Sequence, residues 1–355
     1  MQTSRIRQSR RAQAALAALA LVALAACKKD PPPAAAKLAH DAPLPSEFPR
    51  ETKLVLGDPQ AQIALRLSAG LADLPFTPDF HNLTGGPQTI EAFRAEALDG
   101  GSVGDTPPIH AIFTGLDVKI VAVQQRTRPA MRIATAPGSP IASLSDLRDK
   151  RIAYSPGQAQ GALVLRVLRR LGLKTSDVKL IELTSPEFKD ALGSKQVDAA
   201  PLSGPGLRRY LEEYEKQGAR AIEHGVRDSL SFLYVRTAVL DDPHKAAALR
   251  AYVARRTRAQ LWAFTHPEPW LKAYYVEDQG LDEDDARYVI ETVGRPQYPG
   301  DWSDTIALTQ ETIDELSRAG GMPRFDAHRL FDMRFEKVAA EAALAFERED
   351  KGTSG

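Results

Sequence analysis

Residues 139–173 read SPIASLSDLRDKRIAYSPGQAQGALVLRVLRRLGL, and this one span holds both local orders of an α/β protein. Ser143 and Asp146 have the S-x-x-D spacing of a capping box, in which each side chain satisfies an orphan amide of a first helical turn. Arg151 to Tyr154 reads as a strand, and Ser155-Pro-Gly-Gln158 leads from it into a helix ending near Leu171. On that helix Leu163, Val164, Val167, Leu168 and Leu171 line one face, while Arg166, Arg169 and Arg170 leave the other.

The same alternation runs outward in both directions. Upstream, residues 53–56, 80–83, 118–123 and 131–135 read as strands. Helices are expected at 60–72 and 88–98, and another starts after Asp105-Thr106-Pro107-Pro108. Downstream, 179–183 and 197–200 continue the sheet, and 231–235 is the last clear strand. Beyond Pro243 the chain is helical, broken at Pro267/Pro269 and at 294–299. A chain of 355 residues suits two or three compact units. Its formal charge of zero argues against a nucleic-acid partner.

The amino terminus is of a different kind. Arg5, Arg7, Arg10 and Arg11 form a basic head without an acid, followed by an apolar run from Ala14 to Ala26. The run is too short to span a bilayer and fits the apolar region of a signal peptide, residues 1–26. It ends Leu24-Ala25-Ala26-Cys27, a pattern resembling the bacterial lipobox, in which the cysteine becomes the lipid-bearing first residue. Cys27 is the only cysteine, so no disulfide forms within the chain. Acyl chains on Cys27 would hold the protein at a membrane surface at about 0.8 kcal/mol per buried CH₂. Residues 27–50, rich in Pro and Ala, read as a disordered spacer, and 346–355 as a flexible tail.

Gly101-Ser-Val-Gly-Asp-Thr-Pro-Pro-Ile109 resembles a stretch of the solute-binding proteins of ABC importers for aliphatic sulfonates, taurine and nitrate. Those proteins share a type II periplasmic-binding fold with thiamine-precursor binders. Residues 139–173, 191–210 (ALGSKQVDAAPLSGPGLRRY) and 231–243 (SFLYVRTAVLDDP) follow the same order of elements, and the likeness covers roughly residues 53–320. The loop Ala200-Pro-Leu-Ser-Gly-Pro205 departs from the family, which often has a tryptophan there. The resemblance implies an α/β chain of two lobes joined by two crossings, with a helical C-terminal region. Lobe I is expected at 51–130 plus 238–345 and lobe II at 131–237, with crossings near 130–132 and 236–238.

The function the resemblance implies is that of a monomeric lipoprotein receptor on the periplasmic side of a bacterial membrane. It would capture a small organic anion, an aliphatic sulfonate or taurine foremost, and present it to an ABC permease and its ATPase. Nitrate, a thiamine-precursor-like metabolite or a ligand-sensing role are the alternatives. No cofactor and no nucleic acid is implied.

The chemistry of the cleft follows from helix starts, whose free amides favour an anionic oxygen. The candidates are Gln60 after Gly57-Asp58-Pro59, Gly86 with Gly85, Thr106 with Pro107, the turn Gly157-Gln158-Ala159, and Ser203. Thr106 has a second reading as a plain helix cap, and Gly157 as a permissive turn. Asp105 would repel an anion and reads as structural. Phe232 and Tyr234 are the aromatic candidates for an apolar part of the ligand, with the core as their other reading. Catalysis finds little support. The seven histidines lack ligand spacing, no G-x-S-x-G or phosphate loop occurs, and the one cysteine is committed to the lipid.

Overall fold

Short apolar runs pair into two mixed sheets in the computed structural model, which describes residues 37–353 except Thr84, Ser229 and Gly321. The expected signal segment, 1–26, and Cys27 lie outside the described residues. The first elements in chain order are β1 (Val55–Gly57), α1 (Pro59–Leu67), β2 (Asp79–Phe80), α2 (Gly86–Arg94), β3 (Gly100–Gly104), α3 (Pro107–Phe113) and β4 (Val118–Arg126). Then come β5 (Met131–Thr135), β6 (Arg151–Tyr154), α4 (Ala159–Arg170), β7 (Lys179–Glu182), α5 (Phe188–Gly193), β8 (Ala199–Ser203), α6 (Gly204–Tyr214) and β9 (Ala221–Ile222). Next are β10 (Leu230–Arg236), α7 (Thr237–Asp241), α8 (Pro243–Thr265), α9 (Pro267–Trp270) and a π-helical segment (Leu271–Asp278). The chain closes with α10 (Glu283–Thr292), β11 (Pro296–Gln297), α11 (Ser303–Gly320) and α12 (Val338–Thr353).

The first sheet has the order β11-β4-β10-β3-β1-β2 and the second β7-β6-β8-β5-β9. In each, parallel strands carry helical crossovers and an antiparallel strand returns the chain. The chain therefore crosses between two α/β lobes twice. The first crossing runs between Arg126 and Met131, and the sequence reading sets it near 130–132. The second lies earlier than 236–238. Leu230–Arg236 pairs along its length with β3 and β4 of the first sheet, so the return falls after Ile222 rather than at 236–238. Asp228 joins the two crossings: its carboxylate accepts from the amides of Ala130 at 3.0 Å and Met131 at 2.6 Å. Buried His224 completes this joint. Val226 N–H donates to its Nδ1, leaving Nε2 to donate to Asp228 at 3.2 Å.

Lobe I is built on one large core in which Leu54, Leu56, Val118, Ile120, Phe232 and Tyr234 of the sheet meet Leu249 and Tyr252 of α8. Trp302, Phe331 and Phe335 cover it from the C-terminal segment. In lobe II, α4 covers one sheet face with Leu163, Val164, Val167 and Leu168, and Phe188, Leu192 and Tyr210 cover the other. A Cβ on Gly161 would stand 2.1 Å from the Ser155 carbonyl oxygen, so a side chain here would push α4 off the end of β6. The helix is buried on two sides, because Leu165 joins the lobe I core. Arg166 follows it inward and does not face solvent as its helical position suggests. It pairs with buried Asp105 of lobe I, and donates to Thr312 Oγ1 at 2.6 Å and to the Arg227 carbonyl at 3.0 Å.

Two terminal expectations change. Within the 27–50 spacer, the described part packs on lobe I: Leu44 and Phe48 touch its core, and the Phe48 and Phe76 rings meet edge-on at 5.7 Å. Leu44 and Phe48 anchor this proline-rich strip through their side chains, and the Leu38 amide donates to the Asp241 carbonyl at 2.7 Å. The 346–355 tail continues α12 as far as Thr353, with Phe346 against the core.

One ion pair in lobe II sets a pH dependence. Asp198 accepts from the Arg151 amide at 2.8 Å and from its guanidinium at 3.1 and 2.6 Å. Burial alone raises the carboxyl's pKa, but these bonds, with the charges of Arg151 and Lys150, outweigh it and hold the group below the ordinary carboxylate range. A folded pKa lower than the unfolded one stabilises above the unfolded value, about 3.9, and that stability is lost as pH falls through the folded value. Asp198→Asn should therefore be less stable than the parent in urea unfolding at pH 7, with the gap narrowing as the pH falls below about 3.9.

Candidate ligand-binding site

A cavity of about 460 Å³ opens between the lobes beside the two crossings. Its floor begins at β1, where Gly57 ends the strand and Asp58 caps α1 by accepting from Ala61 N at 3.3 Å. The second oxygen of Asp58 pairs with Arg256 of α8 and accepts from Tyr252 OH at 3.2 Å. Asp58 and Arg256 are 1% and 2% exposed, so this is a fully desolvated ion pair. Burial alone lowers the guanidinium pKa, and the Asp58 charge more than reverses that, holding it above its ordinary value. The remaining nitrogens donate to Ser102 Oγ at 2.9 Å and Gln260 Oε1 at 3.0 Å, which fixes Arg256 beneath the cavity.

The walls come from both lobes. Lobe I presents Gln60, whose Nε2 donates to Tyr274 OH at 2.7 Å, along with Gln124 and Arg126 at the end of β4. Burial pushes the Tyr274 hydroxyl up to about 12, against the pull of the Gln60 bond, so it stays protonated at neutral pH. Lobe II presents Ser203 and Gly204 at the start of α6, where Gly204 has φ +46°. Arg128 and Arg132 flank the first crossing. Four arginines thus line the cavity against one carboxylate, Asp228, whose two oxygens are already engaged at the crossings. Arg126 also donates to the Gly294 carbonyl at 3.0 Å, and Arg128 to that of Glu291 at 2.9 Å.

Of the sequence candidates, Gln60 and Ser203 face this cavity. Gly86, Thr106, Pro107, Gly157 and Ala159 gather elsewhere, where the strand ends of the two lobes meet. A Cβ on Gly86 would stand 2.5 Å from Pro107, one on Gly157 3.1 Å from the His110 ring, and one on Gly104 3.2 Å from Ala159. That junction is filled. Thr106 is fully buried and donates to Asp105 Oδ1 at 3.0 Å, without capping α3. Pro107 and Pro108 bring no N–H to that helix start. Gln158, beside Gly157, accepts from Ser155 Oγ at 2.8 Å and from Ser185. His110 Nδ1 has no hydrogen-bond partner among the described residues, and burial, with the Arg94 charge, lowers its pKa. Phe232 and Tyr234 are fully buried in the lobe I sheet, and the aromatics at the cavity are Tyr274, Tyr275 and Tyr288.

The arginines are what the reading from helix starts overlooks, and both signals lie in the chain. Residues 118–145 contain no acid yet carry Arg126, Arg128 and Arg132. Arg256 continues the apolar stripe Leu249, Tyr252, Val253, where a charge points into the fold.

A sequence model described as NMT1/THI5 like matches residues 88–268, half of the chain. The chain belongs to the NMT1/THI5-like family. Within the family's reach, an Escherichia coli (strain K12) protein named aliphatic sulfonates-binding protein is 34% identical over 140 residues, 39% of this chain and 43% of that one. The chain thus aligns with less than half the length of that relative. A Bacillus subtilis (strain 168) protein of the same name is 26% identical over 263 residues, 72% of this chain and 76% of that one. The crystal structure of the periplasmic aliphatic sulphonate binding protein SsuA from Escherichia coli superposes with a TM-score of 0.69 at 23% identity, covering 80% of this chain and 92% of that one. This likeness makes the fold that of a periplasmic binding protein. The family match spans the crossings and the arginine-bearing strand end, so it includes much of the cavity wall.

Proposed function

We propose that this protein is an extracytoplasmic solute receptor that captures a small organic anion, an aliphatic sulfonate or taurine, and delivers it to an ABC permease and its ATPase. The observation that carries this is the cavity between the lobes, where Gln60, Ser203 and four arginines face one space. Neutral donors and guanidinium groups together suit a sulfonate, which has three acceptor oxygens and a single charge. A volume of about 460 Å³ far exceeds what a nitrate ion fills, which favours an organic ligand. The names of the two aligned relatives point the same way. Closure of two lobes on the ligand would give the permease a shape to distinguish loaded from empty receptor. The protein acts as a monomeric binder rather than an enzyme: the cavity's serines, Ser102, Ser203 and Ser231, have no histidine among the lining residues to activate them.

A thermal-shift series with alkanesulfonates, taurine, nitrate and thiamine precursors tests this reading. A ligand at a hundred times its Kd stabilises by about 2.7 kcal/mol, a shift of several degrees. At least one sulfonate should produce it, and a flat response to every compound would end the receptor reading.

The receptor is lipid-anchored at Cys27 in this proposal, supported by the sequence Leu24-Ala25-Ala26-Cys27 and the basic, then apolar, segment before it. Among the described residues no helix is long and apolar enough to cross a membrane. Cys27→Ser should move the protein from the membrane fraction to the soluble one on fractionation of the producing cell, and continued membrane association would refute the anchor.

A further inference from the structure

Behind the main cavity lies a narrower slot of about 60 Å³, and the two share Gln60, Gln124, Arg126, Gln260, Tyr275 and Val293. The slot runs between α1, the end of α8 and α10, where buried Ala64 and Ala263, half-buried Trp270 and Ile290, and the more exposed Phe264 form its walls. Arg126, at the shared mouth, is its only charged lining residue. Ala64 and Ala263 are buried, and their small side chains leave the space open.

The slot is built onto the polar end of the site. Trp270 stacks on Tyr274 at 4.6 Å with the rings 13° apart, and Tyr274 holds Gln60. Tyr275 meets Tyr274 edge-on at 4.9 Å and lines both spaces. The π-helical turn of Leu271–Asp278 lets these adjacent tyrosines serve the same opening, a use to which such turns are often put. A wall of this kind offers an apolar tail contact area and offers a second charge nothing. An ammonium group would also find no open carboxylate in the main cavity, since both oxygens of Asp228 are engaged.

We propose that the ligand is an anion on an uncharged apolar tail, with the head at Arg126 and Gln60 and the tail in the slot lined by Trp270, Ala263 and Ile290. The proposal rests on the receptor reading above and narrows it, selecting longer alkyl or aryl sulfonates over taurine.

Titration calorimetry with ethanesulfonate, taurine, hexanesulfonate and 2-phenylethanesulfonate tests it. Each buried methylene is worth about fourfold in affinity, so hexanesulfonate should bind at least ten times tighter than ethanesulfonate, and taurine weaker than both. Ala263→Leu fills the slot and should compress the hexanesulfonate-to-ethanesulfonate ratio to below about twofold. Hexanesulfonate should also change the tryptophan emission of the parent and lose that effect in Trp270→Phe, a readout independent of the filled variant. Equal affinity for short and long sulfonates, or tightest binding of taurine, overturns the slot while leaving the receptor reading intact. Binding of none of the four removes both.

Discussion

Arg256→Ala should destabilise the protein by about 3–5 kcal/mol in urea unfolding at neutral pH, the cost of breaking a buried ion pair from one side. Asp58 is 1% exposed, and without Arg256 its Oδ2 keeps only the Tyr252 hydroxyl. The carboxylate cannot turn to water, since its other oxygen holds the first turn of α1 through Ala61 N. Changing both partners, Asp58→Asn with Arg256→Met, should cost less than the two single changes added, because neither charge is then stranded. Additive costs would mean that the pair is not coupled as its geometry implies. The same guanidinium fixes Ser102 and Gln260, so the damage should reach the cavity floor as well as the fold.

Arg126→Ala should weaken sulfonate binding by roughly 10- to 150-fold, the worth of one charge-assisted hydrogen bond of about 1.5–3 kcal/mol. Arg126 stands at the mouth shared by the main cavity and the slot, where head and tail of a ligand would meet. Arg126→Lys should recover only part of the loss, because an ammonium keeps the charge without the planar fork that pairs with two oxygens at once. Calorimetry on parent and variants measures this directly. An unchanged Kd in Arg126→Ala would take this residue out of the binding site. The loss of its bond to the Gly294 carbonyl should appear separately, as a smaller fall in melting temperature.

The fold is largely legible in the chain because its signals are local. Asp146 accepts from the Ser143 amide at 2.9 Å, the half of the capping box that forms, and β5, β6 and β10 fall within a residue of their apolar runs. Which sheet a strand joins is not local. Leu230–Arg236 is as apolar as any lobe II strand, and only its distant partners at 100–104 and 118–125 place it in lobe I. Arg166 shows the same limit from the other side. Its helical position opposes the stripe that faces its own sheet, and nothing nearby announces that a second lobe covers that side.

The lining of the cavity is legible in the sequence only in part, for a related reason. Strand–turn–helix junctions can be read one at a time, which points to Gln60 and Ser203 but cannot say that Gly157 closes on the His110 ring and Gly86 on Pro107. Whether a junction is open or filled depends on the angle between lobes, a property no segment carries. The arginines needed a different question: where positive charge is kept without an acid beside it, or placed on an apolar stripe. The π-helical turn that sets Tyr274 and Tyr275 at the opening has no sequence marker at all beyond its aromatic content.

A crystal of the protein with 2-bromoethanesulfonate would address the arginine cavity itself, since bromine reports its own position by anomalous scattering. The expected result is one bromine site between the lobes, with the sulfonate oxygens at Arg126 and Gln60 and the bromine turned toward the slot. A bromine at the closed junction of His110 and Gly157, or on the outer surface, would contradict the assignment of this cavity as the place where the anion is held.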